Sequence, residues 1–141
     1  MLGFAQVPGL FRAPASGGVL RVHTRFGIHL KTLKPVVWMG RSRADMQALP
    51  ADTQQELGHQ LLEVQRGNAP RDWKPMRNVG PGVAELRVQA SGAFRLMYVA
   101  RFAKAVYVLH VFEKKRQKTS PLDLALARAR YSLVVRIRQE R

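Results

Sequence analysis

Three alternating apolar runs joined by very short connections constrain this chain more than any other feature. In VAELRVQ (83–89), Ala84, Leu86 and Val88 fall on one side and Glu85, Arg87 and Gln89 on the other. AFRLMYVA (93–100) and AVYVLHVFE (105–113) follow, separated only by ASG and RFAK. A period of two marks half-buried strands. Parallel neighbours need a crossover of about a dozen residues, so connections this short require an antiparallel meander. In the simplest register Arg87 and Arg95 meet across the first hairpin, on one exposed face. The end of the third strand then lies beside the start of the second, where Arg95 is. A slip of one residue would undo that convergence.

The flanking segments supply the rest of a single domain. PVVWM (35–39) reads as a short strand. SRADMQAL (42–49) reads as a helix with Ser42 as N-cap and Asp45 three residues on. Pro50 ends it and opens a second helix, in which Leu57, Leu61 and Val64 share a face and Gly67 with Asn68 supplies the stop. Residues 68–82 are rich in Pro, Gly and Asn and read as a loop. Ser120, Pro121 and Asp123 form a strong start signal for a final helix over 121–138. Leu122, Leu126, Ala129, Leu133 and Ile137 supply its apolar stripe, with Arg128, Arg130, Arg136 and Arg138 mostly outside it. The order is β-α-α-β-β-β-α: an α+β domain with a small, mainly antiparallel sheet, an N-terminal helical hairpin and a C-terminal helix. The helices are expected on one face of the sheet.

Residues 1–34 differ from the rest. They hold five basic residues, no acidic one, and scattered Gly and Pro. The expectation is a flexible extension, or an artefact of start-site choice, ahead of a domain over 35–141. The run GGVLRVHTRF could make a marginal strand. No cleavage site is evident for a targeting segment.

Charge points to the partner class. The 141 residues carry 24 Lys plus Arg against 9 Asp plus Glu, a formal +15, and no cysteine. Such an excess attracts nucleic acid or another polyanion. Without cysteine there is no disulfide, thiolate zinc site or thiol nucleophile. No apolar run approaches the roughly 18 residues of a membrane span, so a cytoplasmic protein is expected. Lys114, Lys115, Arg116 and Lys118 crowd the end of the third strand just before the helix start. Cations there oppose the helix macrodipole, unless an anion uses both the lysines and the helix amides. The alternative is a solvated turn. His110 is a candidate for acid–base work because histidine as a residue type suits it near neutrality, although a lone histidine in a core strand is more often structural. No two histidines have metal-ligand spacing. No phosphate loop, serine elbow or carboxylate pair occurs. Neither metal nor cofactor is expected.

DWKPMRNVGPGVAELRV, followed by SGAFRLMYVARFAKAVYVLHVFEKKRQKTSPLDLALARARY, resembles the RelE/HigB-type toxins of bacterial type II toxin–antitoxin systems, and within them the phage-derived branch. The resemblance spans about residues 35–131, carried most specifically by VGPGVAELR, GAFRLMYVA, VYVLHVFEKK and QKT. It implies a ribosome-dependent mRNA endoribonuclease that inhibits translation. It also implies a cognate helix-turn-helix antitoxin as partner and metal-free attack of the ribose 2′-OH on the adjacent phosphate. By resemblance Arg95 is the strand arginine at the reacting phosphate, and Arg87 stands near a basic position of the preceding strand. Lys114 or Lys115, with Lys115 favoured, matches the basic residue after the last strand. Lys74, Lys114, Arg116 and Lys118 are the expected RNA contacts. Some members place a tyrosine where Ser120, Pro121 and Leu122 stand here, which leaves the acid and base open among His110, Tyr98 and a lysine. Some members poison DNA gyrase instead, and a catalytically degenerate RNA-binding domain is the remaining alternative.

Overall fold

A computed structural model describes residues 19–24 and 27–139. Residues 1–18, the larger part of the expected extension, lie outside the described residues. Its remainder contains β1 (Val19–Thr24) and β2 (Gly27–Thr32), which pair antiparallel as a separate two-stranded sheet. The strand foreseen in GGVLRVHTRF is β1. Packing is already established at Leu33, which is buried. Next to it, the Lys34 backbone N–H donates to the Gln65 carbonyl while the Gln65 side chain donates back to the Lys34 carbonyl.

The main sheet has five strands in the order β3-β7-β6-β5-β4. They are β3 (Val36–Trp38), β4 (Trp73–Pro75), β5 (Val83–Gln89), β6 (Ala93–Val99) and β7 (Val106–Glu113). β5, β6 and β7 form the expected meander, and β3 joins β7 in parallel. β4 lies inside the segment read as pure loop. Three residues ending in a proline give no alternation to read, and proline is tolerated there because β4 is an edge. The helices are α1 (Ser42–Gln47), α2 (Ala51–Gln65) and α3 (Pro121–Gln139).

Three local expectations change. Ser42 is the first helical residue of α1 rather than its cap; Arg41 takes that position. The Ser42 side chain is fully buried and its hydroxyl donates to the Val108 carbonyl at 3.3 Å, which ties α1 to β7. The helical hairpin is then closed by Gln54, whose buried amide donates to the Gln47 and Leu49 carbonyls at 3.1 and 2.8 Å. These carbonyls have lost their helical partners and need a donor.

The second change concerns layers. The helices cover both faces of the sheet, not one. Met46, Leu57, Leu61 and Val64 of α1 and α2 pack on Leu86, Val88, Phe94, Leu96, Tyr98 and Val108. Ala127, Tyr131 and Val134 of α3 pack on Val83, Met97, Val99, Tyr107 and Leu109, on the other side. β6 explains why: Leu96 through Val99 is a continuous apolar run, which only a sheet buried on both faces accommodates.

The third change is the facing of α3. Its inward stripe is Leu124, Ala127, Tyr131 and Val134. The stripe Leu122, Leu126, Ala129, Leu133, Ile137 turns outward, with Leu122 69%, Leu133 42% and Ile137 36% exposed. Both stripes are apolar, so periodicity does not choose between them. Polar anchors do: the Tyr131 hydroxyl donates to the Pro81 carbonyl at 3.0 Å and accepts from Arg101 at 3.2 Å. Arg130 donates to the Leu109 carbonyl at 3.0 Å. Small Ala127 lets the helix approach, and the Tyr131 ring lies where Gly80 has no side chain.

Candidate nucleic-acid interface

The face of the sheet under α3 changes character along the strands. On β5 it runs Val83, Glu85, Arg87, and on β6 it runs Val99, Met97, Arg95. α3 packs on the apolar half; in the charged half Glu85 and Arg95 are buried and Arg87 is half-buried. The register pairs Arg87 directly with Arg95, as the simplest hairpin requires, and Arg95 with Phe112. The next row pairs Lys74 with Glu85, Glu85 with Met97, and Met97 with His110.

Beside these rows opens a cleft of about 480 Å³ lined by Arg87, Ala93, Arg95, Lys114, Lys115, Arg116 and Gln117. A second cavity of about 190 Å³ shares Lys114, Lys115 and Arg116 and adds Lys118, Ser120 and Asp123. The strand arginines and the basic run therefore converge. Lys118 lines only the smaller cavity. Lys74 lies on β4, outside both linings but near enough to Glu85 to act on it electrostatically.

Arg95 is not the exposed cation that alternation suggested. It is 6% exposed, donates to the Phe94 carbonyl at 3.0 Å, and its Nε lies 3.6 Å from Glu85 Oε1. That separation is an ion pair without a hydrogen bond. Arg95 Nε and Glu85 Oε2 are both buried and without hydrogen-bond partners. Burial pushes the Glu85 carboxyl above its ordinary range, against the pull of Arg95, Lys74, Lys114 and Arg87. Burial likewise pulls Arg95 down, with Glu85 opposing, yet a guanidinium keeps its proton at any working pH. Glu85 is the functional candidate that the sequence did not single out. The signal was present in its alternation with Arg87, which puts a carboxylate among the cations.

The tandem lysines divide. Lys114 is half-buried, and its ammonium is held down by burial first and then by Arg95, Lys74 and Arg87. Its backbone N–H donates to the Ala93 carbonyl at 2.7 Å, which fixes it at the cleft. Lys115 and Arg116 are exposed on the rim.

His110 lies off the cleft, 5% exposed beneath the start of α3. A β-bulge explains its position. Tyr98 pairs with Val108 and Met97 with His110, so Leu109 is an extra residue and both Leu109 and His110 turn toward α3. His110 Nε2 is 2.6 Å from Asp123 Oδ1, and Nδ1 is 3.3 Å from Arg130 Nη1. A guanidinium only donates, so Nδ1 accepts and the Nε2 proton goes to Asp123. Asp123 Oδ2 in turn accepts from the Ser120 hydroxyl at 2.7 Å, and Ser120 Oγ accepts the Asp123 N–H at 3.1 Å. Ser120 is thus the cap expected, and the cap is wired to β7 through His110. The ring stacks on Phe112 at 4.9 Å. Tyr98 belongs to the opposite face, against α1 and α2, where burial pushes its hydroxyl up to about 12.

Among the described residues no three His, Asp or Glu side chains gather as a metal set. No helix is long and apolar enough to cross a membrane. No curated protein matches the chain. The family described as phage-derived protein Gp49-like (DUF891) matches residues 44–132, from α1 through most of α3 and including every cation of the cleft. More than half of the sequence is covered, and the chain belongs to this Gp49-like family, within the RelE-like group of type II toxin–antitoxin toxins.

Proposed function

We propose that this protein is the toxin of a type II toxin–antitoxin pair, a ribosome-dependent endoribonuclease that cuts mRNA in the cytoplasm and is held inactive by a helix-turn-helix antitoxin. The observation that carries the reading is the convergence of Arg87, Arg95, Lys114, Lys115 and Arg116 on one cleft. Attack of a ribose 2′-OH on the adjacent phosphate builds negative charge on the phosphate oxygens before the 5′-oxygen leaves. Preorganised cations at that place lower the barrier. Arg95 faces the phosphate, with its backbone-anchored guanidinium already partly desolvated. Lys114 reaches the same oxygens from the end of β7, and Arg87 holds the neighbouring phosphate. Lys115, Arg116, Lys118 and Lys74 steer the strand, with the ribosome holding the message in a reactive shape.

His110 enters this reading as a positioning residue. Both ring nitrogens are engaged, so it fixes Asp123 and the start of α3 behind the cleft. The test is induced expression followed by mapping of mRNA 5′ ends. Codon-linked cuts on translated messages are expected. Intact messages beside linearised plasmid would overturn the nuclease reading in favour of a gyrase poison.

A further inference from the structure

Among the described residues the outer face of α3 is apolar and largely exposed, with Leu126 half-buried. Leu122, Leu126, Ala129, Leu133 and Ile137 repeat at helical spacing over about 22 Å of axis, at 1.5 Å per residue. A largely exposed apolar stripe of this length on a small domain marks an interaction surface. The sheet does not need it, because α3 packs through its opposite stripe.

Charge selects the occupant. Arg136 and, further round the same side, Arg128 lie along the stripe, both exposed, with Arg128 Nε donating to the Asn78 carbonyl at 2.8 Å. The one acid of α3 among the described residues, Asp123, is already bound to His110 and Ser120. The whole chain carries +15. A second copy laid along this face would set arginine against arginine. A helix with an apolar seam and an acidic flank would bury the leucines and meet the arginines with opposite charge. We propose that the outer face of α3 is a docking surface for an amphipathic helix of a partner protein, with leucine-type residues in its seam and Glu or Asp along the flank that meets Arg128 and Arg136. The surface lies on the side of α3 away from the sheet, and the inference stands apart from the nuclease reading.

The test uses the full chain and a synthetic helical peptide of 18 residues with a Leu seam and a Glu flank, followed by fluorescence anisotropy. Binding is expected to weaken at least tenfold in Leu133→Ser and in Leu122→Ser, whose exposed positions leave the melting temperature nearly unchanged. Arg136→Glu is expected to weaken the Glu-flanked peptide and favour a Lys-flanked one. Three results would overturn the proposal. One is equal binding of both peptides to the unaltered chain. Another is self-association in sedimentation that Leu133→Ser abolishes, which assigns the face to a second copy. The third is binding to phosphatidylglycerol vesicles with no peptide binding, which assigns it to a membrane surface.

Discussion

Replacing Arg95 with alanine tests the physical account of the cleft independently of any activity. The substitution leaves Glu85, 1% exposed, without its nearest cation. Removing one partner of a buried pair is ordinarily severe, because the other charge is stranded. Here Glu85 has an escape, since burial already pushes its carboxyl upward from 4.5 and the loss of Arg95 pushes it further. The carboxyl takes up a proton instead of remaining stranded. The cost of protonating it at pH 7 is bounded by the gap to its ordinary value of 4.5 at 1.36 kcal/mol per unit, so about 3 kcal/mol. Near pH 4.5 that contribution shrinks, leaving about 1 kcal/mol for the lost bond to the Phe94 carbonyl.

The sign follows from linkage. A carboxyl raised in the folded state gives stability that is complete below 4.5 and lost as pH rises through the folded value. Arg95→Ala extends that loss to higher pH, so its penalty grows from pH 4.5 toward 7. In a Glu85→Gln background nothing at position 85 titrates, and the penalty of Arg95→Ala should be small and flat with pH. Urea unfolding of the four combinations at two pH values closes the cycle. A penalty equal in both backgrounds, or unchanged between pH 4.5 and 7, would falsify the coupling of Glu85 to Arg95.

Other outcomes follow from the same geometry. Arg95→Ala should lower single-turnover mRNA cleavage by about 30- to 1000-fold, the equivalent of about 2–4 kcal/mol of lost oxyanion stabilisation; undiminished cleavage removes Arg95 from the phosphate site. Lys114→Ala should cost more cleavage than Lys115→Ala, because Lys114 is the tandem lysine coupled to Arg95 and Glu85; the reverse order in the same assay returns the role to Lys115. Each lysine that touches single-stranded RNA should contribute about 0.7 to the slope of log affinity against log salt, which filter binding of the variants measures. Gly40→Ala should destabilise by at least about 1 kcal/mol in a thermal melt, since Gly40 sits at φ +56 and a Cβ would meet the Arg130 guanidinium. The same variant should loosen the His110 ring, seen as a shifted imidazole resonance.

What the sequence made legible depended on whether one pattern admitted one structure. The meander was legible because short connections and a period of two leave no alternative, and the pairing of Arg87 with Arg95 came with it. The second covered face was written in Leu96–Val99, but the charged residues of β5 masked it: Glu85 and Arg87 made that face look solvated along its whole length. The facing of α3 was not legible, because two apolar stripes compete and the deciding groups, Tyr131 and Arg130, act through carbonyls far along the chain. The burial of Arg95 was hidden because Glu85 and Arg87 made its whole face look solvated.

These limits share a cause that also places the site. A sheet covered by helices on both faces leaves backbone and charge open only where a covering helix stops. α3 stops at Pro121, and its first turn is held down by Asp123 on His110. The bulge at Leu109 is what turns His110 toward that helix; without it, alternation would send the ring to the α1–α2 face and α3 would lose its anchor. Beyond the anchored turn, Arg87 and Arg95 meet the basic run at the end of β7, with Glu85 buried behind Arg95 and no helix among the described residues packed on them. The cleft is thus the uncovered end of a covered face. Its opening is set by the bulge and the Ser120–Asp123–His110 chain, and Asp123→Ala should distort it even though Asp123 touches none of the strand arginines.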